Sequence, residues 1–545
     1  MGDRILVCTA WPYVNGSLHV GHLAGVYVPA DTFARFQRLL GNDVLMVSGS
    51  DEHGTPITVR AEQDGVTPRD IADRFHGEFM GYWKSLGISY DLYTRTGTDT
   101  HRRVVQDQFK SLLDKGFLFQ ESVEQFFDPK ASRFLPDRYV EGTCPHCAYA
   151  RARGDQCDNC GRLLDPSQLV EPRSKLTGER PEPRQTTHFF LDLPQLNHQL
   201  IEWARKKVHW RPNVYRFTLN FLEGGLQARA ITRDLDWGVP IPVPGFEDKR
   251  IYVWFEAVTG YLSASIAWAE ESGQPDAWRA WWEDPATRQY YFIGKDNIPF
   301  HTVIWPAILM ARGDTILPYD VPSNEYMNFG GAKASKSAGI GTTVPALLSA
   351  FDPDPIRFYL TANAPESSDT DFSIDEMIRR NNDELVATWG NLVHRTLTFT
   401  QRFFDGKVPG DGSTDPDVAV QIDQTFARVT ASMEAVHIKE TLREVMALAQ
   451  YGNRLFDERA PWRQVKEDRD AAAATIGTLI NLINALKVLF APFLPFSSAK
   501  LHELLGCEGT LEDAGWGWSP VPAGRALPKP TPLFTKIESV EQSAG

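Results

Sequence analysis

Two histidines, two lysines and four cysteines carry the most distinctive chemistry this sequence can offer. His19-Val20-Gly21-His22 puts two imidazoles at i and i+3, on one face of a helix start, directly after a short apolar run and a Pro/Gly loop. Helix N-termini present unpaired backbone N–H groups and the positive end of the dipole, so anions gather there. Gly21 removes a side chain where a flat base can lie against the backbone. The second element is Lys333-Ala334-Ser335-Lys336-Ser337, inside the run Gly330–Gly339. Two ammonium groups on such a loop suit a polyphosphate that is gripped in the transition state and then released. The loop is not a Walker A motif, whose G-x-x-x-x-G-K-[ST] spacing it does not match. Each element alone also fits a plain structural role, as capping histidines or a solvated loop.

The cysteines divide cleanly. Cys144 and Cys147, then Cys157 and Cys160, form two C-x-x-C pairs, while Cys8 and Cys507 stand apart. Four thiolates at this spacing predict one structural Zn²⁺ held tetrahedrally, with no position left open for catalysis. An iron–sulfur cluster and two labile disulfides are the alternatives. The pattern favours a reducing compartment.

These groups need a scaffold. Ile5–Ala10 is an apolar run suited to a buried parallel strand, His19–Leu40 has helical periodicity ending at Gly41, and Val44–Val47 reads as a second strand. That βαβ unit predicts a parallel sheet with nucleotide chemistry at the strand C-terminal ends. From about Phe117 to Gln227 the composition shifts to Arg, Pro and Gly around the cysteines, which reads as an insertion. Strands are expected again at Ile251–Phe255 and Tyr290–Ile293. After Phe372 the pattern is helical almost to Leu505, an all-α domain, and the Gly/Pro-rich tail from Glu508 is expected to pack along the surface.

Composition sets outer limits. A chain of 545 residues has room for about three or four domains. With 42% hydrophobic residues it is not a disordered chain, and a net charge of −14 excludes coating nucleic acid by bulk charge. No targeting segment is legible. Ala471–Phe496 is read as a buried helix ending near Pro492, because Lys487 and two prolines interrupt it. A cytoplasmic protein without membrane or DNA partners is expected.

Together the histidine and lysine elements resemble the paired signatures of class I aminoacyl-tRNA synthetases. Among these the chain is most similar to the methionyl-tRNA synthetases, from residue 4 to about 500. The motifs are Ala10-Trp11-Pro12-Tyr13-Val14-Asn15-Gly16-Ser17-Leu18-His19-Val20-Gly21-His22-Leu23, Gly49-Ser50-Asp51-Glu52-His53-Gly54-Thr55-Pro56-Ile57, Tyr252-Val253-Trp254-Phe255-Glu256-Ala257, and Phe292-Ile293-Gly294-Lys295-Asp296 with Phe300-His301. The resemblance implies a split Rossmann-type catalytic domain (1–116 and 228–325) holding a zinc-knuckle insertion (117–227). A lysine-signature and stem-contact region (326–375), an all-α anticodon-binding domain (376–507) and a C-terminal tail (508–545) follow. It implies ligation of L-methionine, activated by ATP with Mg²⁺, to initiator and elongator tRNAs bearing a CAU anticodon.

Residue by residue, the resemblance places methionine against Ala10, Trp11, Tyr13, Asp51, Trp254, Ala257, Val258, Tyr261 and His301. It places ATP against His19, Gly21, His22, Gly294, Asp296 and Lys336, with His19, His22, Lys333 and Lys336 catalytic. The anticodon falls to Asn391, Arg395 and Trp462. Aromatic rings suit a polarisable thioether, Asp51 supplies charge for the substrate ammonium, and Tyr13, Tyr261 or His301 can offer sulfur a weak hydrogen bond. The family's four-cysteine members space their knuckle similarly. Three residues depart from the family pattern: Ala334 where Met, Phe or Leu is usual, Val258 for a common proline and Trp11 for a common Leu. The insertion is too short for a large hydrolytic editing domain. With the family's frequent dimerisation module missing, a monomer is expected. The stretch Arg205-Lys206-Lys207 with His209, Trp210 and Arg211 reads as a solvated helix face or as a contact to the acceptor arm.

Overall fold

The structure, a computed structural model, describes residues 2–136, 139–154, 157, 159, 160, 164, 166–329, 332, 333 and 343–538. Ile5, Leu6, Val7 and Cys8 are all fully buried, as a strand covered on both faces requires. They form β1 (Arg4–Thr9) of a five-stranded parallel sheet with β2 (Asp43–Ser50), β3 (Leu92–Arg95), β4 (Arg288–Gly294) and β5 (Ser323–Asn324), in the order β5-β4-β1-β2-β3. Leu6 pairs with Leu45 on one side and with Gln289 on the other. The two neighbours of β1 thus come from opposite ends of the catalytic region, and the crevice above β1 and β4 is a topological switch point where ligands bind.

The crossover from β1 to β2 is a helical run: Val20–His22, a π-helical turn Leu23–Tyr27, then Val28–Leu39. Gly41 follows at φ +81°, a conformation that favours glycine. One expectation fails here. Only Arg250–Ile251 is strand, and Val253 begins the helix Val253–Glu271. The Val253-Trp254-Phe255 run belongs to a helix buried on most faces, and a short apolar run does not distinguish that from a buried strand.

The insertion is a long arm in which Leu118–Asp128 and Glu182–Leu191 pair antiparallel. Its tip carries a small sheet of Ala152–Arg153, Val140–Thr143 and Val170–Ser174. Beyond Phe372 the chain is helical. Arg469–Phe490 is long and apolar enough to cross a membrane, yet it is the core of the helical domain, with Ile476, Leu479, Ile480 and Ile483 fully buried. The tail does more than lie on the surface. Leu511, Val521, Leu527 and Phe534 are buried, Trp516 Nε1 donates to Thr430 Oγ1 (2.8 Å), and Val521 N donates to Asn481 Oδ1 (2.7 Å). It completes the helical domain's core.

Candidate active site

A cavity of about 280 Å³ opens at the C-terminal ends of β1, β2 and β4. All nine residues expected around methionine line it. Ala10, Trp11 and Tyr13 follow β1 and Asp51 follows β2. Trp254, Ala257, Val258 and Tyr261 share one face of helix Val253–Glu271 at i, i+3, i+4 and i+7, and His301 completes the set. His19, Gly21, His22, Gly294 and Asp296 line the same cavity.

The histidines build the helix start on which they stand. His19 Nδ1 accepts from Gly21 N (3.2 Å), His22 Nδ1 accepts from His19 N (3.2 Å), and the rings lie 3.9 Å apart. The two imidazoles therefore share one face of the cavity. Described residues on either side of the lysine motif can be placed. Asn328 pairs with Lys333 where the loop begins, and Thr343 bridges to His19 where it returns, with Val344 N donating to Leu18 O (3.0 Å). Ala334 and Lys336 lie outside the described residues.

Trp11 is slotted between Gly49 and Gly260. A Cβ on Gly260 would stand 2.9 Å from the indole, and one on Gly49 would collide with it. Two glycines thus make the room this Trp needs. Tyr13 meets Trp254 edge to face at 6.2 Å, and Trp254 stacks on Phe300 at 4.1 Å. His301 Nδ1 donates to Asn297 O (2.9 Å), so Nε2 accepts from Tyr261 Oη (2.7 Å). Burial pushes His301 down to about 4 and Tyr261 well up, keeping both neutral. Of the three acids that line the cavity, Asp51, Asp296 and Glu325, Asp51 is the buried one. Burial, then Glu256 and Glu52, raise its carboxyl well above the usual range despite a hydrogen bond from His53 N (3.3 Å).

A buried cluster beneath the cavity went unread in the sequence. Glu256 Oε1 pairs with His53 Nδ1 and lies 3.3 Å from His101 Nε2, while His101 Nδ1 bonds Ser263 Oγ at 2.7 Å. Burial opposes a charge on Glu256, but His53 and His101 outweigh it and hold the carboxyl down to about 2. Burial likewise opposes a charge on His53, and Glu256 raises it regardless; His101 is lowered by burial. An ionised Glu256 facing a protonated His53 is the outcome. His53 and Glu256 both lie in the quoted motifs, but nothing in the sequence pairs residues 203 apart. The cavity is also bordered by two π-helical turns, Leu23–Tyr27 and Phe300–Ile304, a device found often at functional sites.

At the arm's tip the four cysteine sulfurs lie within 4.8 Å of one another, with Cys144–Cys160 at 3.9 Å and Cys147–Cys157 at 3.6 Å. Sulfurs about 2.3 Å from a tetrahedral metal are separated by about 3.8 Å, so the set fits one metal ion and is unbonded as disulfides. The Asn159 amide (3.6 Å) and backbone bonding hold the Cys147 thiol down to about 6.

In the helical domain Asn391 and Arg395 share one face of helix Asn391–Phe403. Arg395 lies 4.1 Å over the Phe456 ring and pairs with Asp457 at 2.6 Å, and Trp462 stacks on the far partner of that contact, Phe456, at 6.0 Å. Trp462 is 40% exposed, an unusually open setting for an indole. The basic stretch divides: Arg205 is exposed and pairs with Glu223, whereas Lys207, His209 and Trp210 all donate to the Tyr319 carbonyl and Arg211 to that of Ser323. The first three of these brace the turn before β5, and Arg211 holds β5 itself.

A parallel nucleotide-binding sheet split by an inserted arm, with a histidine-lined helix start at its switch point and a helical domain behind it, is the architecture of a class I aminoacyl-tRNA synthetase. The family description "tRNA synthetases class I (M)" matches residues 5–397, and "Anticodon binding domain of methionyl tRNA ligase" matches 408–544. The methionine–tRNA ligase of Thermomicrobium roseum is 52% identical over 99% of this chain and 97% of its own, and that of Dehalococcoides mccartyi 53% over 99% and 98%. Methionyl-tRNA synthetase of Mycobacterium tuberculosis, solved in complex with methionyl-adenylate, superposes with a TM-score of 0.81 at 26% identity, covering 98% of this chain and 100% of that one. The chain belongs to the methionine–tRNA ligase family.

Proposed function

We propose that this protein joins L-methionine to methionine tRNAs in two steps at the cavity above β1 and β4. A carboxylate oxygen of methionine attacks the α-phosphorus of ATP; the new O–P bond forms as pyrophosphate leaves with the bridging oxygen. His19, His22, Lys333 and Lys336 offset charge building on the phosphates, so positioning and electrostatics carry the step without a covalent enzyme intermediate. Mg²⁺, entering with ATP, neutralises phosphate charge. Asp51 takes the substrate ammonium, Trp11, Tyr13, Trp254 and the neutral Tyr261–His301 pair surround the thioether with Ala10, Ala257 and Val258, and Gly294 and Asp296 face the ribose. The 2′-hydroxyl of the terminal tRNA adenosine then attacks the adenylate carbonyl, and AMP leaves.

Asn391 and Arg395 hydrogen-bond base edges of the CAU anticodon and Trp462 stacks on one base, for initiator and elongator tRNAs alike. Cys144, Cys147, Cys157 and Cys160 hold a structural Zn²⁺, whose full coordination leaves it no part in the reaction. We read the protein as a monomer; a dimer mass by light scattering at micromolar concentration would overturn that.

The observation that supports this reading is the meeting, in one cavity, of an imidazole pair, the buried Asp51 carboxyl and a neutral aromatic pocket. Amino-acid-dependent pyrophosphate exchange with ATP, run across all twenty amino acids, tests it. Methionine alone is expected to drive exchange; a different winner would overturn the substrate.

A further inference from the structure

We propose that Tyr326 is a positioning residue for the nucleotide: it fixes the Asp296 carboxylate that tells a complete ribose from a deoxyribose. The inference rests on the ligase reading above, in which Asp296 faces the ribose of ATP. Sheet register brings the two residues together. In the parallel pair of β4 and β5, Ile293 lies opposite Ser323 and Gly294 opposite Asn324. The next two residues therefore leave the strands side by side, Lys295 beside Glu325 and Asp296 beside Tyr326. Both pairs are in contact. Lys295 Nζ meets Glu325 Oε2 at 2.7 Å, and Tyr326 Oη donates to Asp296 Oδ1. Asp296, Glu325 and Tyr326 all line the cavity.

Asp296 is exposed, on the single turn Lys295–Asn297. The terminal torsion of a carboxylate is broad, so its oxygens face a ligand only when something orients them. Tyr326 is well placed to do so, because it is held from several sides. Its N–H donates to Asp369 Oδ1 (2.9 Å), and its carbonyl accepts from Thr370 N (2.9 Å). The Lys295 ammonium lies 4.1 Å over its ring, and is itself held by Glu325 and by Asp369 Oδ1 at 2.8 Å. Asn213 Nδ2 steadies Glu325 Oε1 in turn (3.0 Å). Burial, then the bond to Asp296, push the Tyr326 phenol well above its ordinary 10, so the hydroxyl stays a donor. A carboxylate offers about four lone-pair sites, so one bond from Tyr326 orients it and leaves capacity for ribose hydroxyls. A site that bonds a hydroxyl in this way rejects the analogue lacking it.

The test is methionine-dependent pyrophosphate exchange by the full-length protein with ATP, 2′-deoxy-ATP and 3′-deoxy-ATP. Wild-type protein is expected to prefer ATP over at least one deoxy analogue about tenfold or more in kcat/KM. In Tyr326→Phe the KM for ATP is expected to rise about tenfold, with kcat and the KM for methionine within about twofold of wild type. The constants for the discriminated deoxy analogue should hardly move, so the preference for ATP collapses. Asp296→Asn should lose the same preference, and the double variant should lose no more, because Tyr326 acts through Asp296. Unchanged selectivity in Tyr326→Phe, an equal loss with ATP and with the deoxy analogue, or a further loss in the double variant overturns the assignment. So does a wild-type protein that uses all three nucleotides alike. A wild-type protein without methionine-dependent exchange would instead overturn the ligase reading.

Discussion

Arg357 and Asp31 form an ion pair, Nη2 to Oδ2 at 2.7 Å, with neither side chain exposed to solvent. Asp31 belongs to the crossover helix of the parallel sheet, Arg357 to the helix Pro353–Ala362 that leads toward the helical domain. The same guanidinium donates to the carbonyls of Phe493 (2.9 Å), Pro492 (3.0 Å) and Leu86 (3.3 Å). One side chain therefore ties the catalytic sheet, the connecting helix and the end of the bundle together. Burial opposes a charge on Asp31, yet Arg35, Arg357 and bonds from Ser89 outweigh it and hold the carboxyl down to about 2.

Breaking this pair should separate the two parts of the molecule. Arg357→Met is expected to cost about 3–5 kcal/mol, because it strips a buried carboxylate of one partner. Calorimetry should then show distinct transitions for the catalytic and helical parts. Replacing Asp31 and Arg357 together by apolar residues should cost less than Arg357→Met alone. Since Asp31's folded value lies below its ordinary 3.8, its contribution is complete above pH 3.8 and disappears as pH falls toward 2. A single unchanged transition in Arg357→Met would refute the coupling.

Asp51 presents the opposite sign. Its carboxyl is raised in the free protein, so the fold favours the protonated form and loses stability as pH rises above the ordinary 3.8. A substrate ammonium reverses that preference. Asp51→Asn is accordingly expected to raise the melting temperature of the ligand-free protein by a few degrees at pH 8, about 1 kcal/mol, while weakening methionine binding about 10- to 100-fold. Wild-type affinity for methionine should climb with pH through the Asp51 titration, and the variant's should not. Calorimetric titration at several pH values checks both.

How much of this was legible depended on whether the signal was local. Trp254, Ala257, Val258 and Tyr261 fall on one helix face by spacing alone, and the motifs around Trp11 and Asp51 brought them to the same cavity. The Val253–Phe255 run misled because its neighbours in space, not its period, decide between helix and strand. Arg357 looks like any arginine in an amphipathic helix, since its partners are 326 residues upstream and 135 downstream. The π-helical turns leave no periodic trace, as each shifts the helix register by a single residue. The tail's apolar residues, Leu511, Val521, Leu527 and Phe534, are too sparse to announce the core they complete.

The Glu256 cluster should define the pH range of greatest stability for the floor of the cavity. Glu256 is held to about 2 against an ordinary 4.5, so its contribution is complete above pH 4.5 and lost on the way down to 2. His53 is raised above its ordinary 6.5, so its contribution is complete below pH 6.5 and lost as pH rises through the folded value. Between pH 4.5 and 6.5 both are in force. Glu256→Gln is expected to cost about 3–5 kcal/mol there, and less on either side. Urea denaturation of both proteins from pH 4 to 9 measures the difference, and a flat difference would remove His53 and Glu256 as its source.

The cysteine cluster should control the arm's tip without governing activation. Its small core, Leu135, Tyr139, Val140, Ala152 and Leu169 with Cys144 and Cys157, has few apolar side chains of its own, and so little area cannot offset the entropy of ordering the segment. A metal ion drawing the four sulfurs together supplies the missing stability, as in other small metal-held modules. Elemental analysis is therefore expected to find one zinc per chain. Chelation should open residues 139–174 to proteolysis while leaving the parallel sheet resistant, and methionine-dependent exchange should change less than about twofold, since no cysteine lines the cavity. Cys157→Ser should reproduce the chelated state. Its thiol is fully buried, and a hydroxyl is a much poorer zinc ligand there. A tip that stays protease-resistant after complete metal loss would show that packing alone holds it, and the structural role of the metal would fail.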